Sequence, residues 1–466
     1  MKRTCLQRFS SVLLAATALG FLPAAPAQSV SIANAPPPQP RRPSIIFIQC
    51  DGLGWGDLSC YGQTKFQTPN LDRLAAGGIR FTSYYAGDAA SSPAGAALLL
   101  GRETTHLKQR ADGDVPLAAD EITVAQRLQQ TGYHTVLIGE WFLGGDGTSG
   151  APWRKGFDEF AGYLDPGDTV DYYADYIWHY APARIPSPDH PVAFQGRETL
   201  FDNADGKKGE YIPDLLAKAT GNFIKTYQPD QFNGYRPFFL LLNYTIARPG
   251  TGNTLPVPTD APYSDESWPQ PEKNRAAMIA RFDGYVGQLL EELKNWGIES
   301  NTVIFFSSDT GPQTGGGVNP KFFQSAGPFR GERGGLYEGG LRVPMIVSWP
   351  GTIRPGQVSD FPWAAWDFLP TALQIALREP PPNLDGFSVL PTLLGEPQTN
   401  RHELLSWELR GRETAQAARM ADWKIVRSRA GEKWELYNLK TDPGETRDVA
   451  DKNPAVIAKF EELLKK

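Results

Sequence analysis

Residues Ser44-Ile45-Ile46-Phe47-Ile48-Gln49-Cys50-Asp51-Gly52 decide the fold. The first seven are mostly β-branched or apolar with no polar alternation, which reads as a strand buried on both faces, and Asp51-Gly52 reads as the turn that ends it. Runs of the same kind recur at residues 135–138, 238–242, 302–306 and 343–347, with helical patterns between them. The clearest helix spans residues 275–296, where Ile279, Phe282, Val286, Leu289, Leu290 and Leu293 share one face and Gly297 supplies the stop. A second covers residues 121–131, with Ile122, Ala125 and Leu128 inward and Gly132 beyond its end. Strands alternating with helices predict an α/β fold, a large mixed, mostly parallel sheet sandwiched by helices. Ligands of such sheets sit off the carboxyl ends of the strands.

Past residue 360 the pattern changes. Residues 418–426 and 433–439 alternate like antiparallel strands, 441–444 form a turn, and 454–464 read as a helix, together a small C-terminal antiparallel sheet-and-helix subdomain. The stretch 166–235 is irregular and aromatic (Tyr172, Tyr173, Tyr176, Trp178, Tyr180) and is expected to be loop at the rim of the core. At the start, Lys2-Arg3, an apolar run over 9–23 and Ala25-Pro26-Ala27 read as a secretory signal peptide over residues 1–27. A Pro-rich tether (28–42), an α/β core domain (43–359) and a C-terminal region (360–466) complete the expected organisation, and the protein is expected to be secreted or periplasmic. No later segment has the roughly 18 unbroken apolar residues of a membrane span. The 466 residues carry 46 Lys plus Arg against 52 Asp plus Glu, a net charge of −6, so no nucleic-acid partner is expected. Cys50 and Cys60 remain after signal removal, and two unpaired thiols are expected, although a bridge is permitted.

Asp51 is followed by Gly54-Trp55-Gly56-Asp57-Leu58, then by Thr68-Pro69-Asn70-Leu71-Asp72-Arg73-Leu74, Pro93, Ala96-Ala97-Leu98-Leu99 and Gly101-Arg102. Gly156-Phe157-Asp158, Glu338-Gly339-Gly340-Leu341-Arg342-Val343-Pro344, Trp366-Asp367-Phe368-Leu369-Pro370-Thr371 and Leu436-Tyr437-Asn438-Leu439 through Thr446 continue the series. As an ordered set these motifs resemble the sulfatase family, of the arylsulfatase and N-acetylgalactosamine-6-sulfatase type, from about residue 43 to the C-terminus. The resemblance implies an alkaline phosphatase-like fold and an ancestry in sulfuric ester hydrolysis. It also implies one calcium held by paired Asp after the first strand and an Asp-Asn pair after a later one. A nucleophile motif C/S-x-P-S-R, whose first residue becomes formylglycine, belongs to the same pattern.

The site positions have changed. Asp51 matches, but its partner is Gly52; Asp309 matches, but the expected Asn is Thr310. Calcium is therefore expected to be weak or absent. Ser91 stands at the nucleophile position in Ser91-Ser92-Pro93-Ala94-Gly95, without the motif's Arg, so formylglycine is not expected. Ser92-Pro93 also reads as a helix start, Ser at N-cap and Pro at N1. The family's G-K-W becomes Gly139-Glu140-Trp141, its P-H pair becomes Ala247-Arg248, a second His becomes Gln313, and the last catalytic Lys becomes Arg333. His106 is expected to be structural, paired with backbone.

The leading expectation is a pseudoenzyme that binds sulfated or anionic glycans. An active hydrolase with a modified Ser91 and a reduced calcium site is one alternative; a phosphatase or phosphodiesterase using plain Ser91 is another. Three carboxylates near one cleft predict that Arg248 or Arg333 pairs with Asp51, Asp309 or Glu140.

Overall fold

The computed structural model describes residues 41–109, 111, 115–164, 172–181, 194–227, 236–250, 252–410 and 414–465. The signal-peptide expectation and nearly all of the tether lie outside them. The strands in chain order are β1 (Ser44–Cys50), β2 (Ile79–Phe81), β3 (Tyr84–Tyr85), β4 (His134–Glu140), β5 (Glu159–Tyr163), β6 (Tyr176–Ala181), β7 (Phe194–Thr199), β8 (Phe238–Tyr244), β9 (Thr302–Ser308), β10 (Met345–Ser348), β11 (Gln357–Ser359), β12 (Trp363–Ala364), β13 (Leu405–Arg410), β14 (Thr414–Met420), β15 (Trp423–Arg427) and β16 (Glu435–Asn438). Ten of them form one sheet in the order β11-β2-β10-β9-β1-β8-β4-β5-β6-β7. The centre, β9-β1-β8-β4-β5, is parallel throughout, while β10 and β6 run antiparallel to their neighbours.

Alternation along β1 shows why the sequence run had to be buried twice. Ile45 and Phe47 join one apolar cluster, and Ile46 and Ile48 join the other. The first face is covered by α2 (Ser91–Leu100), α3 (Val124–Gln130) and α6 (Phe368–Ile375); the second by α1 (Pro69–Ala76), α4 (Ile212–Tyr227) and α5 (Gln270–Asn295). The helices therefore sandwich the sheet, as expected.

Several expectations are corrected. The aromatic stretch is not all loop: its described parts include β6, β7 and the 16-residue α4. α4 buries Ile212, Leu216, Phe223 and Ile224 at helical spacing, a signal masked by the surrounding tyrosines and prolines. α5 begins at Gln270, five residues before the expected start, because Pro271 is tolerated in the first turn. Residues 418–426 are a hairpin and not one strand, since Ala421 adopts φ 51° and reverses the chain between β14 and β15. α2 begins at Ser91 with Ala90 as N-cap, so Ser92 is not the cap and Pro93 is not at N1. α3 begins at Val124 behind a Thr123–Gln126 capping box, leaving Ile122 outside it.

β13 to β16 form the expected antiparallel C-terminal sheet, packed through Ala418, Ile425 and Leu436 on Phe460 of α7 (Pro454–Leu463). It is tied to the rest by fully buried charge. Lys424 Nζ lies 2.9 Å from Glu338 Oε1 and 3.0 Å from Glu445 Oε1, and Arg342 Nη1 lies 3.2 Å from Glu338 Oε2. Cys50 and Cys60 are both free thiols. No described helix is long and apolar enough to cross a membrane.

Candidate functional site

The parallel register brings the carboxyl ends of β1, β8, β9 and β4 level: Gln49 is opposite both Asn243 and Ser307, and Asn243 is opposite Gly139. The residues just beyond these ends face one another. Asp51 is 1% exposed, and its side chain is the hub. Arg248 Nη1 lies 3.1 Å from Asp51 Oδ2, Arg333 Nη1 bonds Asp51 Oδ1, and Ser91 Oγ donates to Oδ1 at 3.3 Å. The arginine–carboxylate pairing expected from the sequence is present twice, on one carboxylate.

Local backbone fixes each partner. Arg333 donates its N–H to Pro312 O at 3.2 Å, and Gly334 donates to Ala89 O at 3.1 Å, which pins that loop beside the start of α2. Ala247 turns at φ 67°, and the Tyr172 hydroxyl donates to Arg248 O at 2.7 Å. The Arg248 guanidinium also lies 5.5 Å from the Phe142 ring centre. At Gly52, φ is 74° and an added Cβ would fall 2.6 Å from Gln313 Cβ, so an aspartate there has no room without moving the Gln313 loop.

Asp309 and Glu140 complete the acidic side. Asp309 Oδ1 accepts from Gly52 N–H at 2.9 Å and from the Thr310 hydroxyl at 3.2 Å. Burial, and then the charge of Asp51, pushes Asp309 up to about 7, against the opposing pull of Arg333, the Ser91 hydroxyl and Gly52 N–H. Glu140 ends β4 at 2% exposure, and its Oε1 has no hydrogen-bond partner. Burial first and Asp51 second hold its carboxyl far above the usual range, with Arg248 opposing. Glu140, Asp309, Ser91, Ser92, Gln49 and Asn243 line a cavity of about 30 Å³, on the scale of a water molecule.

Calcium takes six to eight oxygen ligands. Here each Asp51 oxygen is engaged by a guanidinium, residue 52 has no side chain, and Thr310 turns its hydroxyl to Asp309. No group of three or more His, Cys, Asp or Glu suited to an ion occurs among the described residues. The donor set does not fit calcium.

The sequence brought Asp51, Gly52, Ser91, Glu140, Arg248, Asp309, Thr310 and Arg333 to this cleft, and the structure assembles them there. It missed Gln49, Asn243 and Phe142; the first two are polar breaks in the apolar runs of β1 and β8, which is a readable signal. His106 is corrected: its Nδ1 lies 2.8 Å from Asp385 Oδ2 rather than on backbone. His134 and His402 likewise pair with Glu159 and Asp367.

The sulfatase family model matches residues 43–377, and a model described as N-sulphoglucosamine sulphohydrolase, C-terminal, matches residues 332–466. Human arylsulfatase A is 31% identical over 465 residues, covering 91% of this chain and 87% of that one. N-acetylgalactosamine-6-O-sulfatase of Bacteroides thetaiotaomicron is 27% identical, covering 91% and 93%. Among solved structures, Ps i-CgsB in complex with k-i-k-neocarrahexaose superposes with a TM-score of 0.73 at 27% identity, covering 91% of this chain and 92% of that one.

Proposed function

We propose that this chain, which belongs to the sulfatase family, has lost sulfate-ester hydrolysis and acts by binding. The observation that carries the reading is the engagement of both Asp51 oxygens by Arg248 and Arg333. Sulfuryl transfer needs an activated nucleophile, cations aimed at the sulfuryl oxygens and a proton for the leaving group. Ser91 is a plain alcohol whose hydroxyl donates to a carboxylate already engaged by two guanidinium groups. Those two arginines spend their charge on Asp51, and Glu140 adds a buried acid where an anionic ester would enter. No histidine is among the residues that line the cavity at Ser91.

The ligand class that family membership brings is a sulfated or anionic glycan, held through its sugar and not at the old sulfate position. Export by residues 1–27 would place the protein where such glycans occur. Calcium and formylglycine have no part in this reading. The test is sulfate release from 4-nitrophenyl sulfate and from N-acetylgalactosamine 6-sulfate, with wild type and Ser91→Ala. Both proteins should match the buffer blank. A rate that Ser91→Ala abolishes would overturn the proposal in favour of a hydrolase built on Ser91.

A further inference from the structure

A second pocket, of about 500 Å³, opens where β14 and the segment before β13 meet the chain ahead of β12. Its walls are largely apolar, with Phe361, Leu405 and Met420 contributing. The guanidinium groups of Arg401 and Arg419 and the His402 imidazole line it as well, and the carboxylate on its lining, Glu403, is exposed.

Arg419 and His402 are each held from behind with one edge unspent. Arg419 is 9% exposed; its Nε donates to Ala421 O at 2.9 Å and its Nη1 to the Tyr85 hydroxyl, and its Nη2 has no hydrogen-bond partner among the described residues. His402 Nε2 lies 2.9 Å from both oxygens of the fully buried Asp367, which itself accepts backbone N–H bonds from Ala364 and Phe387. That pairing fixes the ring and leaves Nδ1 without a partner among the described residues. Burial disfavours the imidazolium, but Asp367 outweighs it and draws the His402 pKa upward. Arg401 is exposed at the rim, with no ion pair among the described residues.

We propose that this pocket binds a monocarboxylate with an aromatic or branched aliphatic body. A guanidinium edge nearly removed from water gains most from a planar carboxylate, which accepts two parallel hydrogen bonds. Phe361, Leu405 and Met420 supply the apolar surface for the body of the ligand, an arrangement of few polar groups in an apolar cleft that small-molecule sites share. A sugar, with hydroxyls on every face, would leave those hydroxyls unpaired against this wall. The site is separate from the Asp51 cleft and stands whether or not that cleft is catalytic.

The probe is 4-phenylbutyrate, with 4-phenyl-1-butanol as the uncharged control, titrated calorimetrically into the full-length protein. The acid should bind at one site and the alcohol about tenfold or more weaker, the effect of losing a charge-assisted pair. Arg401→Gln should weaken the acid by about threefold to tenfold and leave the alcohol unchanged. Arg419→Gln should cost more, but Arg419 also braces Tyr85, so Met420→Glu provides the second route: it sets a like charge in the pocket and should abolish binding of the acid. Saturable binding absent in the wild type, equal affinity for acid and alcohol, or folded Arg401→Gln and Met420→Glu proteins that bind as wild type would each overturn the proposal.

Discussion

Two buried charge clusters in this molecule answer the same problem differently. At the junction with the C-terminal sheet, Glu338 and Glu445 face Lys424, Arg342 and Arg419, so cations outnumber carboxylates. Burial opposes the charge of Glu338, yet Lys424, Arg342 and Arg419 outweigh it and hold that carboxyl down to about 2. In the cleft, among the described residues, Asp51, Asp309 and Glu140 face Arg248 and Arg333. There burial and mutual repulsion win, and Asp309 rises to about 7. The contrast shows that burying acids is not itself a mark of function. The junction, with cations in excess, holds Glu338 down while Glu445 still rises to about 7; the cleft sets two guanidinium groups against three acids.

The contrast breaks most sharply at Lys424. Lys424→Met should destabilise the protein by about 3–5 kcal/mol, because two fully buried carboxylates lose their shared partner. Urea unfolding measures it, and a loss below about 1 kcal/mol would mean the junction is not held by charge. In the cleft, Arg333→Gln should cost about 3 kcal/mol, less than Lys424→Met, since Arg248 still pairs with Asp51. An Arg333 variant as stable as wild type would show that the guanidinium is a bystander.

Glu140→Gln should do the opposite and stabilise by about 1–2 kcal/mol at pH 8, by removing a buried acid whose Oε1 has no hydrogen-bond partner. The pH dependence has a definite sign. Asp309, and with it Glu445 (pushed to about 7 by burial, against Lys424), keeps its proton in the folded protein after the unfolded chain has released it. Their contribution is full below the ordinary carboxylate range and is lost as pH rises toward 7. Glu338 acts in the other direction, with stability lost as pH falls through about 2. Unfolding at pH 5 and pH 7.5 should therefore show a decline with rising pH that Asp309→Asn makes shallower; an unchanged slope would place the titration elsewhere. The smallest effect belongs to the surface: Arg73 and Glu291 pair at 2.7 Å with half of each side chain exposed, and Arg73→Ala should move stability by less than about 0.5 kcal/mol.

These clusters also mark what a sequence can show. Four of the five strands of the parallel centre, β1, β4, β8 and β9, were legible because a doubly buried strand is nearly all apolar, whereas β5, with Glu159 and Gly162, carries no such run. The eight cleft positions were legible because they stand at motif positions of the sulfatase family that the sequence resembles; strand ends alone mark only Asp51, Glu140 and Asp309. α4 was hidden among aromatics, and β13 and the β14–β15 hairpin were obscured because short amphipathic strands on a small sheet carry weak alternation. The junction cluster was invisible: Glu338, Lys424 and Glu445 are far apart along the chain, and no local pattern says that they meet.

Both oxygens of Asp51 are held by protein cations, Arg248 and Arg333. Calcium content after exhaustive dialysis against metal-free buffer, measured by elemental analysis on the full-length protein, tests this most directly. Well under one calcium per chain is expected, with no change in melting temperature when 1 mM calcium, about a thousandfold above a micromolar site's Kd, is restored. One calcium per chain that survives dialysis would contradict it, because Asp51 would then have to release both arginines.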